Sequence, residues 1–161
     1  MTNLTSVHLL ALSAIWMLGT VLISHPAFTR DDVPEEVRKE QNPVTLEESE
    51  IRYYQRQFKG KCARCHGVDG TGVGTETSTV DGLVPPADLT DASYMSTRTD
   101  GQLFYQIMMG GGERCAMPAF GPESDHAWTE EKIWHMVSFV RRFAERHSPS
   151  GQSASPSDLG S

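Results

Sequence analysis

Between residues 46 and 59 the apolar positions Ile51, Tyr54 and Phe58 fall at i, i+3 and i+7, one face of an α-helix. Thr45 and Glu48 stand ahead of this stripe with the spacing of a capping box. The pattern therefore predicts a helix over 46–59, with Gly60 permitting a turn after it. From 67 to 86 the periodicity vanishes into a glycine-rich stretch that ends in Pro85-Pro86, the composition of an irregular loop. A short helical turn is expected at 87–94. Thr99 and Gln102 make a second capping box, opening a helix whose apolar positions are Leu103, Phe104, Ile107 and Met108. Gly110-Gly111-Gly112 closes it, since glycine accepts the left-handed backbone common at helix C-termini. The last helix starts from Thr129 as N-cap, with Glu130 and Glu131 in its first turn, where the dipole favours anions. Trp128 and Ile133 are placed for a hydrophobic staple. Ile133, Val137, Val140 and Ala144 form its inner stripe, widened by Trp134, Met136, Phe139 and Phe143, and Arg141, Arg142 and Arg146 lie towards its end.

Outside this helical region the pattern changes twice. Residues 4–29 contain no Asp, Glu, Lys or Arg, and 7–23 has about the length of a bilayer-spanning helix. Residues 1–29 are expected to be an N-terminal membrane anchor or, alternatively, a signal segment that is removed. Either reading sends the rest of the chain out of the cytoplasm. Residues 30–44 are charged and proline-containing and are expected to be a linker. Residues 45–147 form one domain, and the Ser/Pro/Gly-rich 148–161 reads as a disordered tail. The 161 residues carry a net charge of −7 and only 38% hydrophobic residues. The charge argues against nucleic acid as a partner, and fits docking against a basic patch on another protein. The hydrophobic fraction is lean, as expected if a buried apolar cofactor completes the core.

The candidate chemistry sits where the first helix ends, at Cys62-Ala63-Arg64-Cys65-His66. Cys-x-x-Cys-His is the attachment sequence of c-type haem. Two thiols three positions apart reach the two vinyl groups of one porphyrin, and the next residue, His66, projects its imidazole at the iron. Three other readings compete. A thioredoxin-like pair wants a βαβ setting, which the glycine-rich surroundings do not provide. Zinc held by Cys62, Cys65, His66 and the lone Cys115 has suitable ligand types, although adjacent Cys65 and His66 fit one tetrahedron poorly. A disulfide between Cys62 and Cys65 would be strained. A second axial ligand for iron is Met117, the methionine in a loop between two helices, held by Pro118. Thioether ligation raises a haem's potential relative to a second histidine. Met108, Met109 and Met136, at helical spacing, read as core fillers. His126 is the rival to Met117. A single Cys-x-x-Cys-His implies one haem.

The pieces Phe58, CARCHGVDGTGVG, PPADL, DGQLFYQIMMGG, AMPAF and EEKIWHMVSFVRRF, in that order, resemble a class I monohaem cytochrome c domain across about 46–144. The resemblance implies an all-α fold in which the first and last helices cross near Phe58 and Phe139 while loops wrap one covalent haem c. It implies axial ligation by His66 and Met117. It also implies that a proline carbonyl, from Pro85 or Pro86, accepts the proton on the His66 nitrogen not bound to iron. Arg98 and Arg114 are candidates for a propionate contact or simply solvated cations. Cys115 departs from the family pattern, where a small residue is usual. It is a small buried hydrophobe, a reactive thiol or a site of contact between chains. The function implied is one-electron transfer by an electron carrier, not an independent enzyme. The carrier would serve redox protein partners in a membrane respiratory or photosynthetic complex, its soluble domain on the periplasmic face. A haem with a labile sixth position that binds or reduces a small molecule is the alternative.

Overall fold

The computed structural model describes residues 32–76, 83–112 and 115–148. Their order is α1 (Glu35–Arg38), α2 (Glu48–Lys61), α3 (Ala63–His66), α4 (Ala92–Ser96), α5 (Asp100–Met109) and α6 (Glu130–His147). The fold is all-α, and no strand occurs among the described residues. The N-terminal segment 1–29 and most of the 148–161 tail lie outside them. Among the described residues no helix is long and apolar enough to cross a membrane.

α2 and α6 cross as the resemblance implies. Phe58 meets Phe139 with ring centroids 5.8 Å apart and Phe143 at 4.8 Å. Phe58 is buried, as are Ile133, Met136 and Val137 along α6. α5 lies against α6 on another side, where Phe104 stacks on Trp134 at 4.1 Å. Arg141 locks three helices together. Its Nε donates to Asp100 Oδ1 at 2.9 Å and Nη1 donates to the Met95 carbonyl at 2.6 Å, while Nη2 reaches the Arg98 carbonyl. A side chain that sequence places merely at a cation-favouring helix end is thus a clamp between α4, α5 and α6.

Three local expectations are corrected. α2 starts two residues later than predicted, and its capping box is Glu47 and Glu50 rather than Thr45 and Glu48. The Glu47 N–H donates to Glu50 Oε2 at 3.1 Å. The cause is tertiary: Val44 and Leu46 pack against the core, which keeps the chain extended past Thr45. At its other end α2 continues through Gly60 to Lys61, so Gly60 is an ordinary helical residue and not a turn. The short helix expected at 87–94 forms at Ala92–Ser96, because Asp91 caps it by accepting from the N–H groups of Ser93 and Tyr94 at 2.9 and 3.1 Å.

The third correction concerns the expected linker over 30–44. From 33 onward it is folded onto the domain. Val33 is buried, and Thr99 Oγ1 donates to the Arg38 carbonyl at 2.7 Å. Asn42 Nδ2 donates to the Trp134 carbonyl at 3.1 Å and to Ser138 Oγ at 2.9 Å. The Val37 carbonyl lies directly where a side chain at Gly101 would begin. Charge density alone does not make a tether when the backbone between the charges finds partners.

Candidate functional site

α2 delivers Cys62, whose N–H donates to the Phe58 carbonyl at 2.8 Å. The chain then makes one more turn, α3, with Cys65 N–H on Cys62 O at 3.1 Å and His66 N–H on the same carbonyl at 2.9 Å. Helical spacing of three puts the two thiols on one side of this turn. Cys62, Cys65, His66 and Met117 all line one cleft, walled by apolar side chains that include Leu89, Leu103, Ile107, Phe120, Trp128 and Val140. Its empty space, counted to the open mouth, is about 1180 Å³.

His66 is oriented from behind. Its Nδ1 lies 3.2 Å from the Ala87 carbonyl, so a protonated Nδ1 donates there and the lone pair is left on Nε2 for a metal. Burial pushes the His66 pKa down, and the bond to Ala87 opposes that in part. The neutral imidazole that ligation needs is favoured. The supporting carbonyl is therefore neither Pro85 nor Pro86, although both prolines line the cleft. The Pro86 carbonyl instead abuts Gly72: a Cβ there would sit 2.8 Å from it, and Gly72 has φ +81°. Bonds from Gly72 N–H to His66 O at 2.8 Å and from Leu89 N–H to Gly70 O at 2.8 Å complete the fold-back. The glycine-rich loop thus presses segment 86–89 against the back of His66.

Met117 is held by the end of α5. Gly111 N–H donates to the Met117 carbonyl at 2.9 Å, and Phe120 N–H donates to Ile107 O at 3.0 Å. Gly110, with φ +80°, comes so close to the Met117 carbonyl that a Cβ would stand 2.8 Å away. Cys115 lines the same cleft and its Sγ packs against Gly111. Among the described residues no three His, Cys, Asp or Glu side chains gather to hold a metal ion, which removes the geometric basis for the zinc reading. Burial pushes the Cys62 thiol up to about 12, and the neighbouring Cys65 adds to this.

The donor set and the walls fit a haem: two thiols at vinyl spacing, a neutral imidazole with its second nitrogen committed, a thioether, and an apolar lining. Arg98 is not among the cleft-lining residues; its guanidinium lies over the Tyr94 ring at 5.0 Å. Arg114 lies outside the described residues. The cations that do line the cleft are Lys61 and Arg64, which the sequence reading passed over. Their signal was adjacency to Cys62 and Cys65. His126 stacks on Phe120 at 4.4 Å and is not part of the lining.

Residues 49–140 match the family described as cytochrome C oxidase, cbb3-type, subunit III. No curated protein matches the chain. Among solved structures, a chain of the Kuenenia stuttgartiensis reducing HAO-like protein complex is similar with a TM-score of 0.51 and 21% identity. The similarity covers 63% of this chain and 46% of that one. At that identity the likeness concerns the fold, and this chain spans less than half of its neighbour's length.

Proposed function

The chain belongs to the cytochrome C oxidase, cbb3-type, subunit III family, with a class I c-type cytochrome domain as its matched region, and from that premise we propose that it is an electron carrier with one covalent haem c, ligated by His66 and Met117. A c-type cytochrome domain implies covalent haem and haem-based electron transfer. Bound haem supplies a one-electron Fe(III)/Fe(II) couple. The chain's residues do the rest. Cys62 and Cys65 fix the ring by thioethers, and Ala87 orients His66 and raises its basicity. The clasp between α5 and the 115–120 loop holds the Met117 sulfur in place. The apolar walls exclude water and favour the less charged, reduced state. The observation that carries this reading is the convergence of Cys62, Cys65, His66 and Met117 on one apolar cleft.

The physiological setting we infer is a membrane redox complex, respiratory or photosynthetic, on the outer face of the membrane. The uncharged run 4–29 supports it as an anchor or export signal. An anchored domain meets its partners at high effective concentration.

The test is a pair of spectra, from wild type and Met117→Ala, on protein matured in a haem-attaching host. Wild type is expected to be low-spin and six-coordinate in both redox states, with the variant high-spin. Identical spectra would show that Met117 is not a ligand and would favour a labile sixth position open to small molecules. A colourless wild type would overturn the haem reading itself.

A further inference from the structure

The turn that leads into α6 is wound against its backbone preference. Ala127 has φ +46°, a left-handed conformation that a residue with a Cβ rarely adopts. The turn is held there on both sides: Ala127 N–H donates to the Ser124 carbonyl at 3.0 Å, and Trp128 N–H donates to the Phe120 carbonyl at 2.9 Å. Trp128 is thereby buried, with its ring centroid 4.8 Å from that of Phe120, and it lines the cleft. Strain of this kind persists where the surrounding structure over-determines it. Here it sets one indole ring as a wall of the cleft.

Lys132, four residues on, closes over that ring from outside. Its Nζ stands 4.4 Å from the Trp128 ring centre and 5.7 Å from the Tyr53 ring centre, and Lys132 is not among the residues that line the cleft. The cation is half-buried between an indole and a phenol, and it enters no ion pair among the described residues. Its position conflicts with the helix it belongs to. Lys132 is in the first turn of α6, where the dipole favours anions and where Glu130 and Glu131 stand, while Arg146 and His147 occupy the last turn. A residue that breaks a local rule is expected where function is served. The nearby carboxylates are otherwise engaged. Glu130 and Glu131 are exposed, so water screens them, and Glu50 accepts from the Glu47 N–H at 3.1 Å and faces His135 at 3.8 Å.

We propose that Lys132 sets the potential of this carrier: its charge, held across Trp128 from the cleft, favours the reduced state of the haem. On reduction the haem gains one electron, and one unit of positive charge is lost from the site. A cation fixed nearby is repelled less by the reduced site, so it shifts the equilibrium towards Fe(II). The two rings make that possible. They hold the ammonium in one place against the helix dipole by cation–π attraction, and they displace water that would screen it. Lys132 acts through its field and touches no reacting atom. The inference rests on the electron-carrier reading and adds to it a residue that tunes the site.

The test is a mediated spectroelectrochemical titration of the haem-loaded protein. The electrode supplies the electron, and visible absorbance gives the ratio of reduced to oxidised haem. Lys132→Met removes the charge and keeps a long side chain over Trp128. At a given electrode potential its ratio should fall about threefold, which is about 28 mV at about 59 mV per factor of ten. Lys132→Glu reverses the charge and should lower the ratio about ninefold, twice that shift, although a glutamate in the first turn suits the helix better. Lys132→Arg should keep the wild-type value. Lys39→Met makes the same change in net charge on α1, off the cleft lining, and should move the ratio far less. A ratio unmoved in Lys132→Met, equal shifts in Lys132→Met and Lys132→Glu, or an equal shift in Lys39→Met would overturn the proposal. Should Lys132→Met fail to fold, Lys132→Glu against Lys132→Arg carries the same comparison. A wild type with no reversible one-electron couple would instead sink the carrier reading, so the two failures are distinct.

Discussion

His66 is chosen by its sequence, but its imidazole is aimed by a backbone carbonyl, and a glycine six residues further along the chain makes that possible. Gly72 combines φ +81° with a Cβ position 2.8 Å from the Pro86 carbonyl. Gly72→Ala therefore meets backbone strain and a clash at once, and should destabilise the holoprotein by about 1–3 kcal/mol. Denaturant unfolding checks the cost, and the proton NMR signal and solvent exchange of the His66 Nδ1 proton in the reduced holoprotein check the loosened bond from His66 to Ala87. A second prediction concerns Tyr54. Burial first, then the charges of Tyr53, Glu50 and Glu131, push its pKa from 10.0 to about 12. The folded state thus keeps the phenol neutral where the unfolded chain ionises. Its contribution to stability is full below pH 10 and is lost as pH rises through about 12. Thermal unfolding across that alkaline window should show the loss in wild type and a shallower slope in Tyr54→Phe. At this scale the sequence is uneven. Cys62, Cys65 and His66 are legible because their side chains are the chemistry. Ala87 is not, because its contribution is a carbonyl that every residue possesses, and only the pressure of the glycine loop selects it over Pro85 and Pro86.

Elements were legible where a cap and an apolar stripe agree. α5 and α6 begin where Thr99 and Thr129 announce them, and both threonines accept from the N3 amide, Gln102 and Lys132, at 3.2 Å. α2 was misplaced by two residues because Thr45 is a good cap in isolation, while the packing of Val44 and Leu46 overrules it. Residues 33–42 were misread for a related reason: their docking depends on Gly101, Thr99, Trp134 and Ser138, all far along the chain. The two threonine caps allow a comparison. Among the described residues the Thr129 side chain makes only the cap bond of α6, so Thr129→Ala should cost about 1 kcal/mol. Thr99 caps α5 and also donates to the Arg38 carbonyl at 2.7 Å, so Thr99→Ala loses a cap and a bond to the N-terminal arm. It should cost roughly 2 kcal/mol. Paired denaturation of the two haem-loaded variants decides the matter, and equal costs would mean that the arm contributes nothing through Thr99.

For the whole molecule, that arm determines where residues N-terminal to 33 leave the domain relative to the cleft. Its buried anchor is a single apolar side chain, Val33, beside hydrogen bonds at Arg38 and Asn42, whereas α2 and α6 are joined through the rings of Phe58, Phe139 and Phe143. Such a segment opens locally at a free energy below that of global unfolding. Gly101 is its weakest point, because the Val37 carbonyl occupies the space of any added side chain. Gly101→Ala is therefore expected to release residues 33–40 while leaving the core, the cleft and the haem spectrum unchanged. Hydrogen exchange read by mass spectrometry resolves the difference. Amides of this segment should exchange at least about tenfold faster in the variant, since a loss of 1.4 kcal/mol is a factor of ten in the opening equilibrium. Those of α2 and α6 should keep their protection. Unchanged exchange across 33–40 would mean that the arm's other contacts hold it without the close approach at Gly101. In wild type, the docked arm fixes the point at which the chain leaves the domain relative to the cleft, where a free 15-residue linker at roughly 3.3 Å per residue would leave it open.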